Sequence, residues 1–66
     1  MAIARVTEII AGSKKSFQDA IEKGISRANK TLKYVEGAWV IDQSVVLDKG
    51  VIKEYRVVLK VTFILK

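Results

Sequence analysis

The stretch DKGVIKEYRVVLKVTFILK, residues 48–66, decides the fold. Asp48-Lys49-Gly50 has the composition of a tight hairpin turn, with Gly50 able to take the positive φ that such turns require. Residues 51–66 then alternate. Val51, Tyr55, Val57, Leu59, Val61, Phe63 and Leu65 make one apolar face broken only by Lys53; Glu54, Arg56, Val58, Lys60, Thr62 and Lys66 make the other. Alternation sustained over this length predicts a strand that packs its first face inward and turns its second outward.

Upstream of the turn, residues 34–47 (YVEGAWVIDQSVVL) predict the partner strand of the hairpin. Without a bulge, Val35, Gly37, Trp39, Ile41, Gln43, Val45 and Leu47 share one face of it. Before this strand the period changes. Phe17, Ala20, Ile21, Gly24, Ile25, Ala28 and Leu32 form one stripe of a helix, opposite Lys15, Gln18, Asp19, Glu22, Lys23, Ser26 and Lys30. Ser13 offers an N-cap, Asp19 and Lys23 form an i,i+4 pair in the favourable order, and Lys30 and Lys33 suit the negative end of the helix dipole. Two alanines and a glycine in the stripe let the helix backbone lie close to a sheet. Residues 2–10 (AIARVTEII), bounded by Ala11-Gly12-Ser13, predict a first strand whose imperfect alternation leaves its inner face open.

Direction then sets the topology. The helix returns the chain, so the first and second strands run the same way and the hairpin reverses the third. An all-antiparallel sheet therefore places the third strand centrally, in order 1-3-2, with one covering helix: an α+β fold of β-α-β-β type.

Composition limits how such a fold is completed. The 66 residues make one domain, 1–66, and a chain this short hides only about 60% of the surface its unfolded form exposes. Cysteine and histidine are both absent, which excludes disulfides, thiolate chemistry and the usual general base. With half of the residues hydrophobic, the remaining route to stability is self-association. No apolar run reaches the roughly 18 residues of a membrane span, and the N-terminal residues lack a signal-peptide core, so a cytoplasmic location is expected. The net charge of +5 is dispersed between acids. The outward strand carries Arg56 and Lys60 but no pair of aromatics, so nucleic-acid binding is not expected.

The ordered set Gly12-Ser13, Ser16-Phe17, Asp19-Ala20, Arg27-Ala28 and Lys30-Thr31-Leu32 resembles the cap and helix of the dodecins. Val40, Asp42-Gln43, the Asp-Lys-Gly turn, Glu54-Tyr55-Arg56-Val57 and Val61-Thr62-Phe63 continue the resemblance over nearly the whole chain. It implies a small homo-oligomer, a hollow dodecamer, that stores or sequesters a flavin (riboflavin or FMN) between subunits and is not an enzyme. It also implies a stacking tryptophan early in the second strand and a hydrogen-bonding glutamine on the third. Those two positions fall here on Gly37 and Arg56, and the only tryptophan is Trp39, two residues later. The candidate binding set is therefore Gly37, Trp39, Asp42, Gln43 and Arg56.

Two roles stand open for most of these. Trp39 either swings into the ligand position that Gly37 vacates or packs between subunits. Arg56 either holds an anion or joins a cross-strand or intersubunit ion pair, and Gly37 marks an open pocket, a bulge or a close backbone approach. The alternative function is a flavin-less relative that holds an ion (calcium) or an anionic metabolite other than flavin, or acts as a structural shell. Glu36, Asp42, Asp48 and Glu54 would supply a calcium site at subunit axes, with no dense acidic run to fix it in one chain.

Overall fold

A computed structural model of the chain describes residues 3–65; the expected outer ends of the first and last strands, Ala2 and Lys66, lie outside the described residues. The elements are β1 (Ile3–Ser13), α1 (Phe17–Thr31), β2 (Val35–Asp48) and β3 (Val51–Leu65). They form one antiparallel sheet in the order β1-β3-β2, as the direction argument requires. Lys49 and Gly50, with φ of 53° and 80°, close the two-residue hairpin, the pair of left-handed conformations that defines a type I′ turn.

The core lies between α1 and the middle of β3. Val57, Leu59 and Val61 are buried against Ala20 and Ala28, with Ile9, Ala11, Phe17, Ile21, Ile25, Leu32 and Val35 packed around them. Gly24 permits this approach: a Cβ there would lie 3.0 Å from Leu59 Cδ1 and 3.1 Å from Ala11 Cβ. Phe17 meets Tyr55 edge to face at 5.1 Å. Only Val35 joins the core from β2, so the helix sits over β1 and β3 and leaves β2 largely uncovered.

Three local expectations change. β1 does not stop at Ile10, because Ala11, Gly12 and Ser13 continue the ladder opposite Val57, Arg56 and Tyr55. Ser13 is therefore the buried end of a strand and not the helix cap. The cap is Ser16, whose Oγ accepts from Asp19 N at 3.0 Å. Ser13 Oγ instead donates to Asp19 Oδ2 and accepts from Lys15 N, tying the strand end to the first helical turn. Lys15 precedes the helix, and Leu32 caps its far end through its N–H to Ala28 O at 2.8 Å.

The third change concerns the faces of β2. Register shifts between Val35 and Gly37, Val40 and Asp42, and Val46 and Leu47 leave Glu36 and Ile41 on β2 and Lys53 on β3 without partners. Each bulge inverts the alternation that follows it. Directly paired residues share a face. Gly37, opposite Thr62, and Trp39, opposite Lys60, therefore lie on the helix-free face. Val35, Gln43 and Val45, opposite Phe63, Val57 and Tyr55, lie on the helix side. The same effect carries Val51 away from the apolar set of β3.

Length explains what stays bare on the helix side, while the opposite face has no helix at all. Fifteen helical residues reach about 22 Å, whereas fifteen strand residues reach roughly 50 Å. The molecule is accordingly elongated, 51 × 19 × 14 Å. Val6, Ile10, Trp39 and Val51 are exposed on the helix-free face, and Val40, Val45, Leu47 and Ile52 are exposed on the helix side beyond the helix. So the apolar face of β3 is covered only in its middle. Among the described residues no helix is long and apolar enough to cross a membrane.

The hydrogen bond from Ser13, followed by the Lys23 ammonium at 3.2 Å, holds the Asp19 carboxyl below its ordinary pKa. A carboxyl lowered in the folded state adds stability above its unfolded pKa and loses it as pH falls through the folded value. Ser13→Ala removes the first of these supports. The Asp19 pKa should then rise toward the unfolded value, and the stability that Asp19 loses on acidification should become smaller and be complete at higher pH, as read by a carboxyl NMR titration beside stability measured across the acid range.

Candidate functional site

On the helix-free face the register arranges side chains in rows across the three strands. Val6, Thr62 and Gly37 form one row, followed by Glu8, Lys60 and Trp39, then Ile10, Val58 and Asp42, then Gly12, Arg56 and Ser44. Four of the five candidate residues, Gly37, Trp39, Asp42 and Arg56, therefore share this face. Gln43 does not. The bulge at Ile41 turns it to the helix side, where it lies opposite Val57 and is exposed because the helix stops short of β2.

Trp39 is half exposed, at 50%, and stands next to Lys60, with Gly37 in the adjoining row. A Cβ on Gly37 would meet only Thr62 Oγ1, at 3.7 Å, so nothing on the face crowds this position. Thr62 Oγ1 donates to Gly37 O at 3.0 Å, which fixes the backbone while leaving the space above it open. Gly37 thus sits just after a bulge and lies beneath an opening; no close backbone approach demands a glycine there. Trp39 borders that opening and leaves half of its surface exposed there.

Asp42 Oδ1 accepts from the Gln43 backbone N–H at 2.9 Å, so this carboxylate is turned partly to its own strand. Arg56 is paired within its own strand: Nε and Nη2 both donate to Glu54 Oε1, at 3.1 and 2.7 Å. Neither a cross-strand nor an intersubunit partner is needed to explain it. An exposed pair of this kind stabilises the fold by only about 0–1 kcal/mol, so its interest lies in what it presents to the face. Sequence reading missed Glu54 as the partner of Arg56, although the i, i+2 spacing on one strand face was a visible signal. It also missed Lys60 beside Trp39 and Gly12 beneath the Glu54 carboxylate, which only the register reveals. Among the described residues no three acidic, histidine or cysteine side chains converge as a metal site.

The dodecin family profile matches residues 3–66. The chain belongs to the dodecin family. Solved dodecins share its fold over more than nine-tenths of their length. An arginine-to-alanine variant of the T. thermophilus dodecin is 29% identical with a TM-score of 0.94, covering 100% of this chain and 98% of that one. The dodecin from Streptomyces davaonensis is 34% identical with a TM-score of 0.93, covering 98% and 96%. A calcium dodecin from Mycobacterium tuberculosis, described with a novel calcium-binding site, is 31% identical with a TM-score of 0.85, covering 97% and 91%. Among curated proteins none matches the chain.

If Gly37 is an opening and not a structural requirement, Gly37→Ala should leave the thermal midpoint almost unchanged, within about 0.5 kcal/mol in stability. A strongly lowered midpoint in a melting experiment would show instead that the backbone there needs glycine.

Proposed function

We propose that this dodecin is a cytoplasmic flavin store, in which copies of the chain close on one another and hold riboflavin or FMN against their helix-free sheet faces. The observation that carries this reading is the half-exposed Trp39 bordering the unfilled space above Gly37, on a sheet face that its own helix does not cover. An isoalloxazine stacked on the indole fills that space and removes apolar surface from water at the same time. The flavin would supply the absorbing chromophore, whose excited state a stacked indole quenches. This chain's residues do the rest: Trp39 stacks, Val6, Ile10 and Val58 exclude water, and Arg56, with Lys60, supplies polar contacts and positive charge. Asp42 lies on the same face, while Gln43 is too far round the strand to join them within one chain.

The second reading, a flavin-less shell holding calcium, draws on the likeness to the M. tuberculosis calcium dodecin. One chain gathers no acidic cluster among the described residues, so a calcium site would have to collect carboxylates such as Asp42 from several copies.

Titrating riboflavin with the purified protein and following flavin emission tests the first reading. Quenching at micromolar protein is expected. Trp39→Ala should weaken binding by about tenfold, the equivalent of one aromatic stacking contact. Undiminished flavin emission, with heat released on adding calcium, would favour the second reading.

A further inference from the structure

The β2–β3 hairpin runs past everything that supports it. β1 ends at Ser13, opposite Tyr55, and α1 begins at Phe17, which packs on that same Tyr55. Val51–Glu54 on β3 therefore have only β2 beside them. A two-stranded hairpin without further packing is marginal in water, yet this tip is apolar on both sides of the sheet. Leu47 and Ile52 pair on the helix side, 57% and 46% exposed, and Val51 is 68% exposed on the other. Asp48 stands among them, exposed and with no ion-pair partner among the described residues.

A concavity of complementary character lies along the free edge of β1, the outer strand on the other side of the sheet. Ile9, Ala11, Ala28 and Leu32 line it, with Lys23 and Arg27 along the helix. Lys23 is engaged by Asp19 at 3.2 Å, whereas Arg27 is exposed and has no ion-pair partner among the described residues. From Lys23 to Leu32 the groove runs about 13 Å by helical rise. The unsupported residues Val51–Glu54 also run about 13 Å, by strand rise. Length and apolar character match, and each surface carries an unpaired charge opposite in sign to the other's. The groove stops at Gly12 on β1, while the tip begins beyond Ser13 and is carried further off by extended strands. A chain therefore cannot fill its own groove.

We propose that the hairpin tip of one copy docks in the α1–β1 groove of the next, entering between the helix flank and the strand edge. Leu47, Val51 and Ile52 are covered there, and Asp48 pairs with Arg27 at the rim. The contact is heterologous, because the surface that is given differs from the surface that receives. Each copy offers one tip and accepts another, so the contact repeats head to tail until it closes on itself. A self-complementary contact would stop at two copies. The proposal goes beyond self-association by assigning the surfaces that meet, and it is independent of any ligand.

The test reverses each charge. Arg27→Glu and Asp48→Lys each set like charges against one another, and each should raise the concentration at which the particle dissociates by about tenfold or more. Light scattering over a dilution series reads this at low ionic strength, where screening is least. The double variant Arg27→Glu/Asp48→Lys restores opposite charges and should return that concentration toward the wild-type value. Single variants that dissociate as the wild type does overturn the contact, and so does a double variant that fails to recover. Circular dichroism checks the fold of each variant. If one misfolds, Arg27→Cys and Asp48→Cys combined in one chain read the contact directly, because the chain has no cysteine of its own. A short bismaleimide should link those chains into a ladder of multimers, against at most dimers from either cysteine alone. Absence of the ladder overturns the contact, as does a wild-type chain that is monomeric at micromolar concentration.

Discussion

A helix of about 22 Å laid on a sheet of about 50 Å cannot enclose it. That mismatch of reach on one face, together with a second face that has no helix, governs the rest of this small dodecin. The helix approaches the sheet through Ala20, Gly24 and Ala28 and seals Val57, Leu59 and Val61 beneath it. Beyond that patch the sheet continues unprotected on both sides. Burying each exposed aliphatic side chain, such as Val6, Ile10 or Val51, stabilises by about 1.5–3 kcal/mol, while a chain with no cysteine has no covalent alternative. The strongest physical drive available to such a chain is toward its own copies.

The bulges turn this generic apolar face into a particular one. Without the unpaired Ile41, Asp42 would point to the helix side and Gln43 would accompany Trp39. With it, the face that carries Trp39 and the Arg56–Glu54 pair acquires Asp42 and Ser44 and loses Gln43. Gly37 and Trp39, which share a face by their spacing, owe its being the helix-free one to the unpaired Glu36. Small slips of register therefore decide which chemistry faces the prospective cavity, at little expense to the ladder.

Much of this was legible in the sequence, because the signals are local or directional. The helix stripe from Phe17 to Ala28, the Asp48–Gly50 turn and the alternation from Tyr55 to Leu65 each state their structure within a few residues, and together they compel the order β1-β3-β2. The Asp19–Lys23 pair is likewise present as its spacing predicts. What stayed hidden depends on pairing across the sheet. Ser13 resembles a helix cap until its burial at the end of β1 is known, and Ser16 makes the cap bond instead. No local pattern marks Ile41 as an extra residue, since valine and isoleucine suit either side of a strand. The alliance of Gly12, Glu54 and Arg56 joins residues some forty positions apart, and nothing short of the register brings them together.

The central claim, that copies of the chain must complete the fold, is tested most directly by the mass of the purified protein in solution, measured by light scattering behind gel filtration. The account predicts a discrete particle of many subunits, near twelve times the 7.4 kDa chain for a dodecamer, persisting at micromolar concentration. A folded, soluble particle of 7.4 kDa under the same conditions would contradict it.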